Sequence, residues 1–509
     1  MKKQPNILFI MCDDHASQAI SAYGSRVCRT PNIDRIAEAG MRFDHCYVTN
    51  SICTPSRATI LTGTHNHVNG VTTLTTHLDN RLPNVAKHLR QGGYQTAIVG
   101  KWHLGQGERH WPTGFDYWSI LPGQGVYHDP EFCEMGESRT ESGYVTDITT
   151  DKCLDWLRNR DKQKPFFLMC HHKAPHRPWD PKPEHRNLYS EPIEQPETFD
   201  DDYSNRATPA SIAKMRITED FTYDDLDLVQ LPEASGALSG IYDQRLIPHP
   251  DGEELVSFRL RCQITGEEFS FESEEELKNF KYQRYMRKYL QCVHSIDENV
   301  GRLLDYLEQK GLADDTVVVY TSDQGFYLGE HGWFDKRFIY EESFQMPLLI
   351  SYPGTTEAGS SSEAMVSNVD FAQTFLDIAG LRQPNYMQGR SFLPILNGQV
   401  PQDWTDLAYH RYWMNRDTPH NAIAHYGIRT HDYKLIYWYD EDCGEDGANP
   451  GDGIHEWELF DLRKDPKELM NVYEDPNYVE TVREMTKKLE DEMERIGDTP
   501  MHSRIEAAV

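Results

Sequence analysis

The sequence predicts an α/β fold, a mostly parallel sheet sandwiched by helices, followed by a smaller C-terminal α+β subdomain. Three observations predict it. Short β-rich apolar runs alternate with polar turns and helical stretches through the first 400 residues, the pattern of a parallel sheet covered on both faces. The runs end in charged or ligating residues, and ligands in open α/β sheets bind beyond the carboxyl ends of strands. From about residue 401 the rhythm changes to isolated strands and one amphipathic helix.

The first strand is predicted over residues 6–12, ending at Asp13-Asp14. Its apolar run is too short to span a bilayer and no small-residue cleavage site follows, so the basic start Met1-Lys2-Lys3 is not read as an export signal. No other stretch approaches spanning length, so no membrane is expected and the location is expected to be cytoplasmic, or periplasmic had a leader been removed. Further strands are predicted at 95–99, 166–170, 316–321 and 347–351. They run into Gly100-Lys101-Trp102-His103, His171-His172-Lys173-Ala174-Pro175-His176, Ser322-Asp323-Gln324-Gly325 and Tyr352-Pro353-Gly354 respectively. Helices are predicted at 31–39, capped by Thr30, and at 82–91, 147–159, 282–309 and 370–379. Residues 178–281, rich in proline and acid, read as an irregular insertion with a hairpin at 255–271. Strands at 426–429, 433–438 and 457–461 and a helix at 478–496 make the subdomain, so the expected division is 1–400 and 401–509.

The chain carries 81 acidic against 51 basic residues, a formal net charge of -30, which repels nucleic acid and acidic membrane surfaces. An anionic substrate would therefore need a local concentration of cations. The ten cysteines form no CxxC pair, which argues against a disulfide framework or structural zinc, and most are expected to be buried thiols.

Asp13, Asp14 and Asp323, with the Gln324 amide oxygen, form an all-oxygen set that suits a hard divalent cation, calcium before magnesium. The alternative is that these strand-end aspartates cap helices. Adjacent Asp13 and Asp14 repel each other unless a cation lies between them. Cys53-Thr54-Pro55-Ser56-Arg57 reads as a helix start, where backbone N–H groups favour an anion, and Arg57 one turn on can reach position 53. As a thiolate beside arginine, Cys53 could instead act as a cysteine-phosphatase nucleophile, although that loop wants Cys-x5-Arg and here the spacing is Cys-x3-Arg.

Cys-x-Pro-Ser-Arg followed by Leu61-Thr62-Gly63 resembles the signature of the formylglycine-dependent type I sulfatases, relatives of alkaline phosphatase. The resemblance extends to Asp13-Asp14, Gly100-Lys101-Trp102-His103-Leu104-Gly105, Ala174-Pro175-His176, Ser322-Asp323-Gln324-Gly325 and Asp335-Lys336, in family order. It implies an alkaline-phosphatase-like fold and oxidation of Cys53 by a separate maturation enzyme to formylglycine. One hydroxyl of the aldehyde hydrate attacks sulfur, and deprotonating the other releases sulfate. By similarity, Asp13, Asp14, Asp323 and Gln324 bind calcium together with formylglycine 53. Arg57 and Lys101 hold the hydrate, His103 serves as base, and His176 and Lys336 contact the sulfate and the leaving oxygen.

The segment from Gly329 through His331, Asp335 and Arg337 to Glu342 looks like that of bacterial sulfatases acting on sulfated amino sugars. This implies 6-O-sulfated N-acetylglucosamine or glucosamine from heparan-type or mucin-type glycans, with Asp335, Arg337 and His331 at the sugar. His410 and His425, with His431 nearby, are expected to complete the pocket from the subdomain. The rivals are an aryl or other glycan sulfatase, a phosphodiesterase or phosphonate monoester hydrolase on the same scaffold, and a non-enzymatic glycan-binding protein.

Overall fold

The computed structural model describes residues 4–231, 250 and 252–503. Ten strands form the central sheet: β1 (Asn6–Cys12), β2 (Met41–Phe43), β3 (Gln95–Lys101), β4 (Tyr117–Leu121), β5 (Glu131–Glu134), β6 (Glu137–Thr140), β7 (Phe166–His171), β8 (Thr316–Ser322), β9 (Leu348–Ser351) and β10 (Ser360–Ser362). Their spatial order is β10-β2-β9-β8-β1-β7-β3-β4-β5-β6. The inner run β8-β1-β7-β3-β4 is parallel, and the sheet turns antiparallel at β9 on one side and β5 on the other.

β1 explains why its sequence is continuously apolar. Ile7, Phe9 and Met11 pack into one core layer while Leu8, Ile10 and Cys12 pack into the other, so both faces of the pleat are buried. Each of these large side chains contributes about 1.5–3 kcal/mol by leaving water. The first layer is covered by α2 (Cys53–Thr62), α3 (Val85–Gln91) and α6 (Phe371–Ile378), the second by α1 (Pro31–Glu38), α4 (Val145–Asn159) and α5 (Glu274–Gln309).

The strand predicted at 347–351 lies in the sheet but runs against β8. The chain leaves β8 at its carboxyl end, stays there through residues 323–347 without a crossover helix, and returns antiparallel, as strands joined without a crossover do. Helix α5 begins eight residues before the predicted start, because Ser273 accepts the Glu276 N–H and three glutamates occupy the first turn. Helix α3 starts at Val85 behind the Asn84 cap, not at 82. Thr30 makes no capping bond; Asp297 of α5 instead accepts the N–H groups of Asn32 and Ile33, each at 2.9 Å.

The hairpin expected at 255–271 is seen as Arg259–Cys262 paired with Glu268–Ser270, joined by Leu228–Gln230 into a three-stranded sheet. Residues 232–249 and 251 of the expected insertion lie outside the described residues. The C-terminal sheet is an antiparallel meander of β11 (Ala408–Tyr412), β12 (His425–Arg429), β13 (Tyr433–Trp438) and β14 (Glu456–Asp461). Helix α7 (Val479–Ile496) covers it with Met485, Leu489, Met493 and Ile496, a single apolar stripe at helical spacing. No helix among the described residues is long and apolar enough to cross a membrane.

Candidate active site

Register brings the motif residues together. β1 and β8 pair with Cys12 opposite Ser322, so Asp13 and Asp323 leave adjacent strand ends on the same edge. On the other flank Gly100 of β3 lies opposite His171 of β7. Only glycine fits at 100: its φ is +102°, and a Cβ would stand 1.9 Å from the His171 carbonyl oxygen. That close approach sends Lys101 inward beneath the loop after β1. Helix α2 enters the same edge with Cys53 at its first position and is buried on every side, the charged Arg57 included.

The result is one buried polar cluster. Cys53 Sγ donates to Asp13 Oδ1 at 3.1 Å, and Lys101 Nζ is bonded to Asp13 and to Gln124. Arg57 Nε and Nη2 each lie 2.9 Å from Asp323 Oδ2, and Nη1 donates to the Lys101 carbonyl at 2.8 Å. Lys336 Nζ donates to both oxygens of Asp14 at 2.7 Å, and Gln324 Nε2 donates to Asp14 as well. His176 Nε2 stands 3.8 Å from Asp14 Oδ2. Its Nδ1 lies 2.5 Å from the Arg177 carbonyl, which only accepts, so Nδ1 carries the proton and Nε2 faces the cluster unprotonated. His103 Nδ1 lies 3.3 Å from the Thr54 hydroxyl, and its ring borders a cavity of about 550 Å³ lined also by His77 and Trp111.

Burial and mutual repulsion push Asp14 and Asp323 up from the carboxylate range. Asp13 is held well below it, against burial, by the charges of Lys101 and Arg57. Three carboxylates whose oxygens lie within 4.8 Å of one another call for a cation. The Gln324 Oε1 atom is buried and without a hydrogen-bond partner, so a fourth oxygen donor is available beside them. This all-oxygen donor set fits a hard divalent ion. Burial, with Asp13 adding, holds the Cys53 thiol well above its ordinary value, so the coded residue is not the thiolate a cysteine nucleophile needs. Burial, with Lys101 next to it, also holds His103 well below its ordinary value.

Asp335 and Arg337 flank Lys336 and lie in a second charged cluster beside the first. Asp335 is 3.3 Å from His420 Nε2 and 3.5 Å from Arg177 Nε and from Arg337 Nε. Arg337 also reaches Asp417 at 3.5 Å and the Tyr412 hydroxyl at 3.2 Å. Arg177, Asp417 and His420 were not expected from the sequence; only Arg177, next to His176, sits beside a recognisable motif. Three further expected residues have protein partners of their own. His331 is enclosed between Asp201 at 3.0 Å and Glu342 at 3.6 Å. His410 accepts from the Ser51 N–H at 3.1 Å, and His425 accepts from the Ile339 N–H at 3.1 Å within an aromatic cluster. All three rings are buried and engaged by protein groups. His431 is half-exposed near Asp406 and His45.

The family model for sulfatases matches residues 5–381. The chain belongs to the sulfatase family. A second family model, described as the C-terminal part of N-sulphoglucosamine sulphohydrolase, matches residues 329–495 of this sulfatase. It is 44% identical to an N-acetylglucosamine-6-O-sulfatase of Bacteroides thetaiotaomicron, over 97% of this chain and 87% of that relative. It is similar to a solved structure of a protein in complex with its substrate D-glucosamine-2-N,6-O-disulfate, with a TM-score of 0.85 and 42% identity, covering 97% of this chain and 98% of the other. The phosphonate monoester hydrolase of Agrobacterium radiobacter, 22% identical with a TM-score of 0.70 over 97% of this sulfatase and 96% of the hydrolase, shares the fold.

Proposed function

We propose that this sulfatase hydrolyses the 6-O-sulfate ester of N-acetylglucosamine or glucosamine in heparan-type or mucin-type glycans, with formylglycine at position 53 and calcium as its metal. The observation that carries this is the convergence of Cys53, Arg57, Lys101, His176 and Lys336 on the Asp13–Asp14–Asp323 cluster, with His103 beside Thr54 next to Cys53. It is supported by the 44% identity to an N-acetylglucosamine-6-O-sulfatase over 97% of the chain.

Members of the family are generally formylglycine- and metal-dependent. Asp13, Asp14, Asp323, the Gln324 carbonyl and residue 53 would hold the ion. When bound, it supplies Lewis acidity to a sulfate oxygen and to the attacking hydroxyl. Cys53 is only 1% exposed, so a formylglycine-generating enzyme reaches it before the chain closes.

Arg57 and Lys101 orient residue 53 and the oxygens around it, fixed by Asp323 and Asp13. His103, kept neutral by burial, accepts a proton from residue 53. Lys336 and the His176 Nε2 face the leaving oxygen, where negative charge grows in the transition state; the Lys336 ammonium stabilises it. Asp335 and Arg337, braced by Arg177, Asp417 and His420, offer paired acceptors and donors to sugar hydroxyls. A panel of sulfated mono- and disaccharides tests this. Sulfate release from 6-O-sulfated glucosamines, faster than phosphate release from matched phosphate esters, is expected. Inactivity on every 6-O-sulfated glucosamine with activity on another ester overturns the sugar assignment.

A further inference from the structure

We propose that the chain carries a second metal site, of the transition-ion type that zinc occupies, built from His185, His294 and Glu298. His294 and Glu298 lie four residues apart on α5, so they share one helix face. His185 closes on them from the turn Pro183–His185. His185 Nε2 is 3.3 Å from Glu298 Oε2, and His294 Nε2 is 3.7 Å from Glu298 Oε1. The three ligand atoms all lie within 4.8 Å of one another. Zinc bonds near 2.1 Å place tetrahedral ligand atoms about 3.4 Å apart, so an ion fits once the three ligand atoms draw together by at most about 1.4 Å, within the reach of side-chain rotation.

The groups around the three are those a ligand set needs. His185 Nδ1 is bonded to the Ser295 hydroxyl at 3.0 Å, which leaves Nε2 to ligate. The two rings meet edge to face, 4.8 Å between centroids at 89°, so both nitrogens aim at the carboxylate without stacking. Lys182 Nζ lies 3.2 Å from Glu298 but also 2.8 Å from Asp147, and keeps that partner when a metal takes the glutamate. Glu298 and His294 are half-exposed, at 43% and 35% of their side-chain surface, so the ion enters from solvent and water completes its shell. Two imidazoles and one carboxylate select a borderline ion, whereas the oxygen cluster at Asp13 selects a hard one. Filling the site pins the loop after His176 to α5.

Calorimetry with zinc, on protein whose oxygen site is saturated with calcium, tests the site against His294→Ala and Glu298→Gln. Zinc is expected to bind the native chain at one equivalent and raise its melting temperature. Each substitution should weaken binding at least about tenfold and leave sulfate release intact. Cobalt should give the intense visible bands of a tetrahedral ion in the native chain and lose them in both variants. Zinc binding equally to native and variant chains, or to none, overturns the proposal, and so does an octahedral cobalt spectrum.

Discussion

His331 shows how a buried histidine can be read as a structural charge instead of a sugar contact. Its burial opposes charge, yet the hydrogen bond it donates to Asp201 and the Glu342 carboxylate 3.6 Å away outweigh that cost and hold it up at about 9, from an ordinary 6.5. The folded value is the higher one. The stabilisation is therefore complete below pH 6.5 and is lost as the pH climbs through 9. At 1.36 kcal/mol per pH unit, the gap is worth up to about 3 kcal/mol. His331→Gln keeps the size and hydrogen-bonding capacity but removes the charge. Urea unfolding of both proteins below pH 6.5 and above pH 9 should give a stability gap of about 3 kcal/mol at the low pH that shrinks toward zero at the high one, with KM unchanged. A pH-independent gap would refute the reasoning. Unchanged stability with a raised KM would return His331 to the substrate.

Lys336→Met removes the cation 2.7 Å from both Asp14 oxygens; sulfate release should fall by about 10²–10⁴ at saturating substrate while calcium still binds, and a loss below tenfold would take Lys336 out of the chemistry. Gly100→Ala forces a methyl to within 1.9 Å of the His171 carbonyl at a φ of +102°, which should cost at least about 2 kcal/mol in thermal unfolding and lower kcat through Lys101. An unchanged melting curve would show that the strand relaxes freely there. Exhaustive chelation should abolish turnover and added calcium should restore it, because the carboxylates of Asp13, Asp14 and Asp323 and the unpartnered Gln324 Oε1 make an all-oxygen donor set; full activity after chelation contradicts the metal assignment.

Five of the ten strands of the central sheet were legible, four of them in the parallel inner run, because burial on both faces writes a continuous apolar run, as in β1; β4 and the short strands β2, β5, β6 and β10 were not. The antiparallel direction of β9 was not legible either, since three buried residues look the same whichever way they run. The residues that meet in the Asp13–Asp14–Asp323 cluster stood in contiguous motifs at strand ends and at the start of α2, so local sequence carried them. Arg177, Asp417 and His420 depend on how loops from the sheet and the C-terminal meander meet, which periodicity does not encode. His410 and His425 were expected at the pocket for their ring chemistry alone. Their strand positions turn them toward Ser51 and Ile339 instead. The Asp297 cap on α1 likewise comes from a residue 265 positions away, beyond any local signal.

The most direct measurement couples the mass of the peptide containing residue 53 to turnover, in protein produced with and without a formylglycine-generating enzyme. Sulfate release from 6-O-sulfated N-acetylglucosamine should scale with the fraction of chains in which the Cys53 thiol has become an aldehyde, and Cys53→Ala should release none. Full turnover by chains that carry the unmodified thiol would contradict the account.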